Sequence, residues 1–140
     1  MADWVETGRP VAHPWFCDTM GHLNVRHYSA MFDDAAFQFL GMLAPPGWLA
    51  ASGLGWADVK LTIEFVQEVQ AGTCLVVRSR LVRIGGKSFT YRHEMRDAET
   101  GAIHATCGTV TVLFDLKQRK AVPIEGDLRE RAALMIEVPL

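Results

Sequence analysis

Cysteine is scarce in this chain: Cys17, Cys74 and Cys107 are odd in number and form no C-x-x-C pair. That argues against a disulfide framework and a zinc ribbon, and it fits reduced thiols in a cytoplasmic protein. No apolar run approaches the ~20 residues of a membrane span, so no membrane partner is expected. The segment "MADWVETGRP" has neither the basic nor the apolar region of an export signal. The formal charge of −2 lacks the basic excess of a nucleic-acid binder.

Several catalytic signatures are missing too. There is no H-E-x-x-H, P-loop or G-x-G-x-x-G, and Ser88 in "GKSFT" lacks the second glycine of a serine-hydrolase elbow. The five histidines are scattered without metal-ligand spacing, so no metal and no other cofactor is expected. Without repeats, low-complexity tracts or linkers, residues 1–140 read as one domain of ordinary size.

What is present is well patterned. Apolar residues recur at Val25, Tyr28, Phe32, Ala35, Ala36, Phe39, Leu40 and Leu43, offsets of three and four that describe one wide helical face. Asn24 is a good N-cap for that helix, and "APPGW" at 44–48 stops it. Beyond the loop the period becomes two. Val59, Leu61, Ile63 and Phe65 alternate with Lys60, Thr62 and Glu64. "TCLVVRSRLVRI" and "KSFTYRHEMRD" follow as strands joined by Gly85-Gly86, a two-residue hairpin signal, and "AIHATCGTVTVLFD" makes another. "TGRPVAHPWF" can supply a fifth strand, and a short helix is expected after Asp127 through "LRERAAL".

Runs of one element type point to an α+β fold. A helix apolar over so wide a face needs broad cover, which a curved antiparallel sheet wrapped around it supplies. That is the hotdog arrangement.

Candidate chemistry concentrates in "FCDTMGHLNVRHY", residues 16–28. Asp18, Gly21, His22, Asn24 and Tyr28, followed by "FDDA", resemble the catalytic loop and helix start of the 4-hydroxybenzoyl-coenzyme A thioesterase family of hotdog proteins. The likeness runs from about His13 to "FDLKQRKAVPI". It implies an acyl-CoA substrate, with Asp18 as nucleophile or general base. It also implies that a backbone amide at the helix start, that of Val25 or a neighbour, polarises the thioester carbonyl. Free amides and the positive end of the helix dipole suit that task.

The other loop residues have weaker claims. Gly21 allows a tight turn and close approach to a ligand, Asn24 caps the helix and holds the loop, and Tyr28 packs or lines the substrate pocket. His22 can orient the carboxylate or contact substrate, or simply bond backbone. Cys17 has no paired histidine, and His27 reads as a solvated or dimer-contact residue. Lys87 and Ser88 at the hairpin stand where relatives often meet the nucleotide end of coenzyme A.

Two rival functions use the same ligand. A hotdog hydratase or dehydratase with G-D-x-N-P-x-H places its Asp where this chain has His22 and Pro where it has Val25. A non-catalytic acyl-CoA binding module is the other. A single curved sheet leaves unpaired edges, so a homodimer or homotetramer is expected.

Overall fold

The computed structural model describes residues 4–136. The chain order is β1 (Val5–Gly8), a 3-10 turn (Pro14–Phe16), α1 (Val25–Leu43), α2 (Pro46–Ala51), β2 (Leu54–Phe65), β3 (Leu75–Ile84), β4 (Ser88–Asp97), β5 (Ile103–Asp115), β6 (Lys120–Ala121) and α3 (Gly126–Met135). The strands form one sheet in the order β1-β3-β4-β5-β2, with β6 added to β5. Every pairing is antiparallel. The curled sheet wraps α1, which is the hotdog fold. No helix among the described residues is long and apolar enough to cross a membrane.

The period-two pattern decides which side chains face α1. Along β4, Phe89, Tyr91, His93 and Met95 are buried, while Arg92 between them is exposed. They meet the α1 stripe of Tyr28, Met31, Phe32, Ala35, Ala36, Phe39, Leu40 and Leu43, all buried. Two packed clusters result. Phe39, Leu40 and Leu43 pack with Leu81, Phe89, Tyr91, Leu113 and Leu128 of α3. Tyr28 and Phe32 pack with Val69, Val77, Met95 and Cys107. Burying each phenylalanine stabilises the fold by about 1.5–3 kcal/mol.

The structure departs from the sequence pattern at five places. Val25 lies on the predicted buried stripe but is 65% exposed, because the first helical turn borders an open cavity. Val59, Leu61 and Phe65 of the expected half-buried face of β2 are exposed, because β2 is an edge strand, and a bulge between Asp58 and Lys60 also interrupts its alternation. The β3–β4 connection is Gly85-Gly86-Lys87, one residue longer than predicted, and neither glycine takes the positive φ of a two-residue type I′ turn. In "TGRPVAHPWF" only Thr7 and Gly8 are in a strand. Pro10 and Pro14 cannot donate to a ladder, leaving Val11 one isolated bridge to Cys74. Finally, α2 forms just after α1 ends, with Pro46 in its first position. There its missing N–H costs nothing.

Candidate active site

Between the 3-10 turn and α1 the chain makes a tight loop over residues 17–24. Asp18 N–H donates to the His22 carbonyl (2.9 Å), and Gly21 N–H to the Asp18 carbonyl (3.0 Å). Gly21 takes φ +79°, a conformation costly for any residue with a Cβ. The loop is then pinned to the segment between β2 and β3. Leu23 N–H donates to Val69 O (2.7 Å) and Ala71 N–H to Gly21 O (3.0 Å).

Within the loop the Asp18 carboxylate is half committed. Its Oδ1 accepts from the Met20 amide (2.8 Å) and the His22 amide (3.3 Å), while Oδ2 takes neither bond. One oxygen therefore sets the orientation and the other is not held by the loop. His22 is held as well: its Nε2 lies 3.1 Å from Glu68 Oε2.

Asn24 caps α1 from an extended conformation, its Oδ1 accepting from the Arg26 amide (3.1 Å). The His27 amide donates to the Asn24 carbonyl (3.0 Å). The Val25 amide is passed over by both bonds. With no acidic residue in the first turn, the positive end of the helix dipole is not offset by a side chain of its own helix. That leaves an N–H donor in a positive field, which suits a carbonyl oxygen gaining negative charge.

One cavity of about 330 Å³ collects these groups, lined by Asp18, Met20, His22, Leu23, Val25, Tyr28 and residues 65–68. Four candidates thus meet there: Asp18, His22, Val25 and Tyr28. Gly21 and Asn24 shape the loop and the helix start without lining the cavity. The Tyr28 ring is buried and stands edge-on to Phe65 at 5.0 Å between centroids. Burial first, then the charges of Cys17, Glu68 and Asp18, raise its hydroxyl pKa, so it stays protonated at neutral pH. His27 stacks on Phe16 instead of entering the cavity, and the Cys17 thiol donates to the His13 carbonyl (3.4 Å).

Lys87 and Ser88 do not join this group. The Asp18 loop bonds the chain just before β3, and the hairpin follows the far end of that strand. Ten residues of β3 separate them, about 33 Å if extended. Glu68, conversely, had no signal in the sequence, because it reaches His22 from across the chain.

A curled antiparallel sheet around one buried helix, with a carboxylate loop opening onto the helix N-terminus, defines the class of hotdog thioester hydrolases. The chain belongs to the thioesterase-like superfamily, whose description it matches over residues 12–132. It is 25% identical over 120 residues to the long-chain acyl-CoA thioesterase FadM of Escherichia coli, covering 86% of this chain and 91% of that protein. Among solved structures, the probable thioesterase YbaW of Escherichia coli superposes with a TM-score of 0.82 at 23% identity, covering 93% of this chain and 98% of the other. A Staphylococcus aureus protein solved in complex with CoA gives a TM-score of 0.85 at 12% identity, covering 97% and 90%. At those identities the superpositions speak for the fold.

Proposed function

We propose that the chain hydrolyses an acyl-coenzyme A thioester to the free acid and coenzyme A, with Asp18 as nucleophile or general base. The observation that carries this reading is the pairing, in one cavity, of a carboxylate held by a single oxygen with the unengaged Val25 amide at the start of α1. The thioester carbonyl accepts from Val25 N–H. Either Asp18 Oδ2 attacks the carbonyl carbon, and water then opens the resulting anhydride, or Asp18 takes a proton from the attacking water. In both routes the C–S bond breaks and the thiolate leaves, to be protonated as free thiol. FadM, acting on long-chain acyl-CoA, and the CoA complex of the Staphylococcus aureus protein support coenzyme A as the carrier.

The test is a panel of acyl-CoA esters with a thiol-reactive dye. Free thiol from at least one ester is expected. Hydration of an enoyl ester without thiol release, or binding without turnover, contradicts the reading.

Assembly is part of the proposal. β2 is an edge of the sheet, and Val59, Leu61, Phe65 and Val66 are exposed along it and just beyond. Such an edge invites pairing with a second copy, so the working unit is a two-fold dimer or a dimer of dimers. Lys87 and Ser88, remote from the Asp18 cavity of their own chain, then contact coenzyme A bound to another copy. Leu61→Asp should convert the assembly to monomers in solution at micromolar concentration. A wild-type chain already of monomeric mass contradicts this part.

A further inference from the structure

The chain is acidic overall, yet its charges are unevenly spread. Residues 75–97, the β3–β4 hairpin, hold six of the 14 Lys and Arg and two of the 16 Asp and Glu. Alternation sorts these side chains between the faces of the sheet. Ser79, Leu81, Tyr91 and His93 are buried on the inner face, so Arg78, Arg80, Arg92 and Glu94 stand on the outer one, away from α1.

Two neighbouring rows of that outer face are compensated differently. Arg78 is directly opposite Glu94 and closes on its carboxylate at 2.6 Å, and Arg96 meets the same carboxylate at 3.2 Å. In the next row Arg80 is directly opposite Arg92. Like charges facing each other across a ladder are destabilising. Neither arginine is in an ion pair among the described residues. Glu6, opposite Arg78 on β1, accepts from Arg9 instead (2.6 Å).

Arg80 supplies an independent observation. It is half-buried, and its Nε is shut off from solvent without a hydrogen-bond partner among the described residues. The Trp4 ring holds its guanidinium in place, 5.5 Å from ring centroid to the central carbon. The cation is therefore partly desolvated and oriented, with no acid to offset it. A charge drawn from water without a counter-ion is costly, and an arriving anion relieves that cost. A hollow of about 360 Å³ lies at the pair, lined by Trp4, Arg80, Val82, Arg92 and Glu94. Val82 stands exposed there at the bulge between Leu81 and Arg83.

We infer that this hollow binds an organic phosphomonoester, its phosphate gripped between Arg80 and Arg92 and its carbon portion against Trp4 and Val82. A carboxylate, with one charge and two oxygens, would leave one guanidinium unmatched. A phosphomonoester carries close to two charges at neutral pH and three acceptor oxygens, which suits two planar forks. The site shares no lining residue with the Asp18 cavity and does not depend on the hydrolase reading.

The test is calorimetric titration of phenyl phosphate and benzoate into the full chain. Phenyl phosphate should bind at least about tenfold more tightly than benzoate, and more weakly as salt is raised. Arg92→Gln, at an exposed residue, should weaken it by about tenfold with the melting temperature kept. Arg80→Gln/Arg92→Gln should abolish it. Equal binding of the two ligands, binding of neither, or binding that survives the double variant overturns the inference. So does an assembly that takes up no phenyl phosphate and dissociates in the double variant, which assigns the arginines to a subunit contact.

Soluble metabolites and phosphatidic acid both present this group, and co-sedimentation with vesicles separates them. Pelleting with phosphatidic acid in phosphatidylcholine, but not with phosphatidylcholine alone, supports a lipid headgroup. Phenyl phosphate binding without pelleting supports a soluble ligand. A double variant whose KM rises for acyl-CoA but not for acyl-pantetheine assigns the arginines to the substrate's own phosphate and overturns a separate site.

Discussion

The two cavities beside α1 differ in how their polar groups are satisfied. At the helix start the loop side chains are held by partners within the chain. Asp18 Oδ1 holds two amides, His22 meets Glu68, and Asn24 holds the Arg26 amide. Asp18 Oδ2 and the Val25 amide take no part in those contacts. Farther along the helix a cavity of about 210 Å³ has the exposed Asp33 and Asp58 at its rim, neither in an ion pair among the described residues, and the fully buried Tyr91 behind its wall. Chemistry needs groups held still before substrate arrives, a condition that the hydrogen-bonded Asp18 loop meets and the exposed carboxylates do not.

A variant that touches one cavity alone sharpens the contrast most. Val25→Pro removes the candidate carbonyl donor at the first helical position, where proline is accepted. Asn24 already has the extended ψ of 143° that a following proline demands. Thiol release should fall by about 10²–10³-fold, with the melting temperature close to that of the wild type. A folded variant that releases thiol at near the wild-type rate would mean that the Val25 amide is not the carbonyl donor.

The next effect should reach the whole fold, because its origin lies between the two packed clusters. His93 is fully buried, edge-on to Tyr91 of the first cluster and stacked on Phe32 of the second. Its Nδ1 is bonded to the Ser79 hydroxyl, which in turn meets Thr7. Burial lowers its pKa from 6.5 to about 4. The unfolded chain therefore takes up a proton at higher pH than the folded one. The stability tied to neutral His93 is complete above pH 6.5 and is lost as pH falls through 6.5 toward about 4, on the order of 3 kcal/mol in all. Urea unfolding at steps across that window should show the slope, and His93→Gln should flatten it. The smallest effect belongs to Asn24→Ala, which removes one cap bond. It should cost about 1 kcal/mol, read as a melting temperature lower by a few degrees.

Much of the first cavity was legible in the sequence because it is local. Asp18, His22, the Asn24 cap and Val25 lie within one loop and one helical turn, where spacing translates directly into geometry. The strands β3 to β5 were legible for a similar reason: alternation is a property of consecutive residues. The second cavity was not, since Asp33, Asp58 and Tyr91 come from three elements that only packing brings together. Glu68 escaped for the same reason. The bulge at Asp58 was hidden because "DVKLTIEF" alternates well on paper, and only the pairing with β5 reveals the extra residue. The α2 turn was hidden because the prolines that end one helix are equally able to begin the next.

Asp18 is the group proposed to perform the chemistry, and the Asp18→Asn variant measures that directly. The substitution keeps an oxygen able to accept from the Met20 and His22 amides and removes the charge and basicity. Melting temperature and thiol release under saturating acyl-CoA should be read on the same preparation. A catalytic Asp18 predicts a folded variant, melting close to wild type, whose turnover is lower by at least about 10²-fold. A folded variant that hydrolyses its best ester at near the wild-type rate would contradict it, leaving Asp18 a turn-former alone.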